Sequence, residues 1–258
     1  YSMIHLDNIT FRRSQRDILR GVSLDILPGE NWALLGRNGC GKTTLLEIIN
    51  GYLFPTSGTV DVLGHRYGRT DVREVRKEIG YISSSLIEKF TLYDPVWEIV
   101  AGGAYAFLRI YQEVPEEVKA RAYEELARAG LGNMAEQPFG TLSQGERKKA
   151  LLARTMMASP RLLILDEPCA GLDLYEREKF LDMLQAFTSP EMSILYVTHH
   201  IEEIVPLISH AALMTEGRIA AQGPKREVLT PQLLQEAYEL PLLVDWADDR
   251  PWIRVGRG

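Results

Sequence analysis

Apolar and polar side chains alternate over residues 4–11 and again over 22–27. A period of two belongs to strands with one buried face, so the chain is expected to open with strands paired antiparallel. Pro28-Gly29-Glu30 reads as a turn. Asn31-Trp32-Ala33-Leu34-Leu35 then reads as a buried strand, and residues 44–50 as a helix. A second turn, Pro55-Thr56-Ser57-Gly58, leads into a strand over 59–63. Residues 71–78 predict a short helix and 79–82 a strand. From 95 to about 137 the pattern changes to Ala, Glu, Arg and Leu at helical spacing, clearest over 116–129, which reads as a helical insertion. Short apolar runs over 162–165 and 193–197, bounded by polar residues, fit parallel strands buried on both faces. Strands alternating with helices predict an α/β fold with a mainly parallel sheet, an N-terminal antiparallel β subdomain and an inserted α-helical subdomain. The expected organisation is a single domain over 1–258, with the helical subdomain at about 90–160 and a tail at about 225–258. Residues 230–258, with Trp246 and Trp252, carry no motif.

Composition narrows the class. The chain has 258 residues and is 45% hydrophobic, enough for one large α/β domain or two small ones. A net charge of −6 disfavours broad nucleic-acid binding. No apolar run approaches membrane-spanning length, and no basic-then-apolar leader is visible. Two cysteines, Cys40 and Cys169, give no disulfide framework, and both read as small fillers in a cytosolic chain.

The candidate chemistry centres on Gly36-Arg37-Asn38-Gly39-Cys40-Gly41-Lys42-Thr43-Thr44. This run fits the phosphate-loop pattern G-x-x-x-x-G-K-[ST], so the predicted core is that of a P-loop NTPase. The glycines let backbone N–H groups turn inward as a cradle for phosphate oxygens. Lys42 supplies a point charge for the β- and γ-phosphates, and the Thr43 hydroxyl one ligand for Mg²⁺. The loop falls between a strand and a helix, where the helix N-terminus favours anions. Asn38, Gly39, Cys40, Gly41 and Thr44 complete the expected cradle.

Two further runs gain meaning from that loop. Leu162-Leu163-Ile164-Leu165-Asp166-Glu167 is an apolar strand ending in two carboxylates. Asp166 stands where a second Mg²⁺ contact belongs, and Glu167 where a general base would hold the attacking water. Leu142-Ser143-Gln144-Gly145-Glu146 opens a helix running to about residue 158, and Ser143 with Glu146 forms the S-x-x-E capping-box pattern.

In this order the motifs resemble the nucleotide-binding subunit of ATP-binding cassette (ABC) transporters, over about residues 4–223. Leu142-Ser143-Gln144-Gly145-Glu146 is similar to the family signature LSGGQ, with Ser143 and Gly145 retained. Ala170-Gly171-Leu172-Asp173 resembles the D-loop, with Asp173 in the acidic position. His199, after Tyr196-Val197-Thr198, resembles the switch histidine that senses the γ-phosphate; His200 reads as a bystander. The resemblance implies that two cassettes pack head to tail around two ATP–Mg²⁺. Each nucleotide would lie between one phosphate loop and the other chain's Ser143 helix. It also implies an importer-like ATPase subunit, most simply a homodimer, lying on the cytoplasmic face of the membrane. Its partner would be a separate transmembrane permease. A soluble ATPase of the same type without a membrane partner is the competing expectation.

Two positions depart from the family pattern. Where the family stacks an aromatic ring on adenine, this chain has Arg13, whose guanidinium plane can stack in the same way; Phe11 is the alternative. Where a glutamine normally faces Mg²⁺, the run is Ser83-Ser84-Ser85, with Ser84 at the glutamine position. The shorter Ser84 hydroxyl is expected to reach the metal only through a bridging water, and a plain surface loop is the competing reading.

Overall fold

The computed structural model describes residues 1–105 and 113–256. The strands and helices, in chain order, begin with β1 (Ile4–Arg13), β2 (Arg16–Ile26), β3 (Trp32–Leu35), α1 (Lys42–Ile49), β4 (Ser57–Val62) and β5 (His65–Arg66). They continue with α2 (Val72–Arg76), β6 (Ile79–Ser83), α3 (Val96–Ala101), α4 (Glu116–Arg128), α5 (Gln144–Met156), β7 (Leu162–Asp166) and α6 (Leu174–Leu184). The last are β8 (Ser193–Thr198), β9 (His210–Thr215), β10 (Arg218–Pro224), α7 (Lys225–Val228), α8 (Pro231–Tyr238), β11 (Leu242–Ala247) and β12 (Arg250–Val255). Part of the predicted helical insertion, 106–112, lies outside the described residues.

The chain divides into two compact units. The first comprises Tyr1–Ile79, Arg161–Ile164 and Pro190–Gly258. Its N-terminal sheet has the order β2-β1-β4-β5 and is antiparallel, with Ile4 opposite both Ile26 and Val62. Alternation puts Ile4 and Leu6 of β1 on the buried face, and an irregularity between Leu6 and Ile9, with Asn8 at a φ of 48°, brings Ile9 to it as well. A larger sheet has the order β10-β9-β3-β8-β7-β6. β3 runs parallel to β8 and β9. All four residues of β3 are buried, as expected for a central parallel strand covered on both faces. Helix α1 adds Leu45, Leu46, Ile48 and Ile49 to the same core. Each fully buried leucine or isoleucine there contributes about 1.5–3 kcal/mol relative to exposure.

The second unit comprises Gly80–Pro160 and Leu165–Ser189. Helices α3, α4 and α5 pack on one another, and α6 packs on α5. Ile99, Val100, Ala122, Leu126, Leu151 and Leu152 are buried here, and Phe90 meets the edge of Phe139 with ring centroids 5.9 Å apart. The unit therefore also takes in 165–189, beyond the expected span of the helical subdomain.

Two differences from the sequence expectation have local causes. Helix α5 ends at Met156, and Ser159 adopts a left-handed φ of 50° just beyond it. α2 is only Val72–Arg76, started by Asp71, whose side chain accepts from the Arg73 N–H. The tail, which carries no sequence motif, forms a helix and a hairpin over residues 231–255. Thr230 caps α8, with Pro231 in its first turn, and β11 and β12 form a hairpin.

Candidate functional site

The phosphate loop takes its form from three glycines with positive φ: Gly36 (157°), Gly39 (84°) and Gly41 (109°). At Gly36 a Cβ would lie 2.6 Å from both the Cys40 Sγ and the Met214 carbonyl oxygen, so no larger residue fits. Gly41 caps α1 with no side-chain hydrogen bond, and no acidic residue stands in the first turn. The helix start thus keeps the electropositive character that suits an anion. Lys42 opens the helix and is buried. Its ammonium donates to the Gly36 carbonyl and to the Thr198 carbonyl, the latter at 3.4 Å. Thr43 beside it is exposed. Burial pushes the Cys40 thiol above its ordinary pKa, partly offset by the charge of Lys42.

Thr198 joins this loop to the histidine turn within the first unit. Its hydroxyl accepts from the His200 N–H at 3.0 Å and donates to Glu203 Oε2 at 3.3 Å. Glu203 is only 2% exposed, and its other oxygen accepts from the Tyr196 hydroxyl at 2.5 Å. A buried carboxylate of this kind needs such donors. His199 is half-buried, and its ring centroid lies 3.9 Å from that of His200.

β7 buries Leu162, Leu163, Ile164 and Leu165, and Asp166, in the second unit, is half-buried at its end. The Tyr81 hydroxyl donates to Asp166 Oδ2 at 3.0 Å. Glu167 follows with a left-handed φ of 47°, and its carbonyl accepts from the Ala170 N–H at 3.2 Å. Lys148 of α5 is buried and donates to the Pro168 and Ala170 carbonyls, each at 2.6 Å, and to Ser84 Oγ at 3.3 Å. Ser84, expected beside a metal, therefore lies against an ammonium.

The Ser143 helix start has the predicted capping box. The Glu146 N–H donates to Ser143 Oγ at 3.1 Å, and the Ser143 N–H to Glu146 Oε1 at 2.8 Å. The glutamate in the fifth signature position is thus a capping residue. Asp173 caps α6, its side chain accepting from the Glu176 N–H at 2.8 Å. Arg13 is exposed, with its guanidinium carbon 5.3 Å from the Phe11 ring centroid, so the two candidates for the adenine position lie together.

The motif-poor tail also meets the site within the first unit. Glu239, just after α8, pairs with Arg37 of the phosphate loop at 2.9 Å. The Arg250 guanidinium donates to the Glu202 carbonyl at 2.7 Å. Tyr238, Leu240, Leu242 and Ile253 line a cavity of about 250 Å³ together with His199 and His200. Sequence reading missed Lys148, Glu203 and these tail contacts. Only Lys148 left a signal: it shares a helical face with Gly145, Leu151 and Leu152, an unusual place for a cation.

Among the described residues no helix is long and apolar enough to cross a membrane. The ABC transporter family profile matches residues 19–170. An uncharacterized ABC transporter ATP-binding protein of Bacillus subtilis is 42% identical over 97% of this chain and 96% of its own length. The cobalt import ATP-binding protein CbiO of Rhodobacter capsulatus is 33% identical over 90% of this chain and 82% of its own length. Among solved structures, cbiO1 of Clostridium perfringens, part of the ABC transporter complex cbiONQ, superposes with a TM-score of 0.79. It shares 27% identity and covers 91% of this chain and 93% of the other.

Proposed function

The chain belongs to the ABC transporter family and is an ATP-binding, ATP-hydrolysing cassette; from that premise we propose that it works as a head-to-tail dimer driving a separate membrane permease. The observation that carries this reading is the first of two helix starts, the uncapped start of α1 with the buried Lys42 behind its glycine cradle. The second is the Ser143 start, where Glu146 and Glu176 stand close, so a phosphate would meet the Ser143 hydroxyl and the N–H groups left over from the capping box rather than a net positive field. In the proposed dimer each ATP meets the first helix start of one chain and the second of the other.

The hydrolytic roles follow the chemistry of each group. Backbone N–H groups over residues 38–44 hold the phosphates. Lys42 exchanges its two carbonyl partners for phosphate oxygens. Thr43 and Asp166 are hard oxygen donors, and Mg²⁺ commonly takes one or two such protein ligands. When bound there it would neutralise phosphate charge. Glu167 takes the proton of the water that attacks the γ-phosphorus, as the bond to the β-γ bridging oxygen breaks and ADP leaves. His199 contacts the γ-phosphate, held in place through Thr198. Arg13, with Phe11, covers the adenine. Ser143 and Gly145 face the partner chain's γ-phosphate, and Asp173 orders the start of α6 beside them. Ser84, whose short hydroxyl accepts from the Lys148 ammonium, would reach the metal at most through a water.

The proposed physiological assembly is a homodimer on the inner face of the cell membrane, and the cobalt-import relative supports an importer direction. Affinity purification from detergent-solubilised membranes tests it. The tagged chain is expected to bring down a multi-span protein in a stoichiometry of two cassettes per assembly. A chain recovered wholly in the soluble fraction, with no such protein, would favour the soluble ATPase.

A further inference from the structure

Lys148 has no part in the roles above, yet it joins two segments that do. It sits one helical turn after Gly145 on the buried face of α5 and is 4% exposed. A buried ammonium needs acceptors, and this one donates to the carbonyls of Pro168 and Ala170 at 2.6 Å each and to Ser84 Oγ at 3.3 Å. Pro168 is the residue after Glu167, and Ala170 is the residue whose N–H closes the turn on the Glu167 carbonyl. Two short charge-assisted bonds therefore grip the peptide chain on the C-terminal side of Glu167. That grip matters because Glu167 stands at a φ of 47°, a region costly for a residue with a Cβ and kept only when its surroundings fix it. The third bond reaches Ser84, the position where related cassettes are expected to have a longer glutamine.

We propose that Lys148 is a positioning residue for ATP hydrolysis, holding the Glu167 turn in register with the segment that opens at Ser84. The ammonium spans the distance that the short serine leaves. The inference rests on Glu167 being the general base. A serine at position 84 and a lysine at position 148 then form one unit, and the loss of either loosens the aim of the carboxylate without touching the phosphate loop.

The test compares turnover with ATP affinity in purified protein, using Lys148→Met, Lys148→Gln, Ser84→Ala and the Lys148→Met/Ser84→Ala pair. Lys148→Met keeps length and flexibility but leaves the carbonyls unpaired, while Lys148→Gln keeps two N–H donors in case the first variant fails to fold. Lys148→Met is expected to lower kcat at least about ten-fold, on the way to the hundred-fold scale of an ~1 Å misplacement, with ATP affinity within about two-fold. Lys148→Gln should recover part of that loss. Ser84→Ala should lower kcat several-fold, and less again when Lys148 is already Met, because contacting residues are not additive. Normal kcat in both Lys148 variants would overturn the proposal, as would a loss of ATP affinity in step with kcat. Glu167→Gln run beside them separates the two readings. If it is inactive while the Lys148 variants are normal, only the positioning role fails; if it turns over normally, the general-base reading fails.

Discussion

A Cβ placed on Gly145 would lie 1.5 Å from Glu176 Oε2 and 3.1 Å from the Glu176 Cβ, so the end of the Glu176 side chain occupies the space a side chain would need at this point of the signature helix. The same glutamate lies 3.4 Å from Ser143 Oγ through its other oxygen. Gly145→Ala is therefore expected to displace the Glu176 carboxylate and disturb the capped helix start. Overpacking of a tight core costs about 1–3 kcal/mol, and the cost here lies at or below the lower end because the carboxylate can move. Thermal unfolding checks it, and Gly145→Ala/Glu176→Ala should recover most of the loss. A single variant as stable as the parent would show that the helices separate freely here.

Glu203 makes a second prediction. Its buried oxygens take the hydroxyl protons of Tyr196 and Thr198. Glu203→Ala leaves both hydroxyls without that acceptor, and each buried unsatisfied group costs about 1–3 kcal/mol. Denaturant unfolding should show a lowered midpoint, larger than that of Tyr196→Phe, which removes only one of the two bonds.

Cys40 gives a prediction in pH. Burial raises its thiol pKa, and Lys42 only partly counters this. Because the thiolate is the nucleophile, alkylation by iodoacetamide should be slow at neutral pH. It should accelerate only as pH passes the ordinary thiol range. ATP should slow it further, since Cys40 lies within the phosphate loop. Fast neutral-pH alkylation of Cys40, read by peptide mass spectrometry, would contradict the buried thiol.

The elements that sequence predicted best were those in which period and punctuation agree. β3, α1 and β7 combine an apolar run with a glycine-rich or acidic end, and Ser143 with Glu146 announces its own cap. The two C-terminal hairpins were missed for a physical reason. Each turns on two consecutive left-handed residues, Glu216-Gly217 and Asp248-Asp249, the requirement of a type I′ turn. Neither pair is the Asn-Gly or Asp-Gly that marks such a turn in sequence, and in the second no glycine signals it at all. The site divides the same way. Lys42, Asp166 and Glu167 follow from local motifs. Glu203 and the Arg37–Glu239 pair depend on residues far apart in sequence or on burial that no short motif records. That exposed pair is expected to be worth little, about 0–1 kcal/mol.

In the proposed reaction Glu167 accepts the proton of the attacking water while Lys42 and the glycine loop hold the nucleotide. Steady-state ATP hydrolysis by Glu167→Gln, measured beside its ATP affinity, tests this most directly. The glutamine keeps the shape and hydrogen bonding but cannot take the proton. Turnover is expected to fall by about 10²-fold or more with ATP binding retained. Near-normal turnover in that variant, with the protein folded and ATP bound, would contradict it.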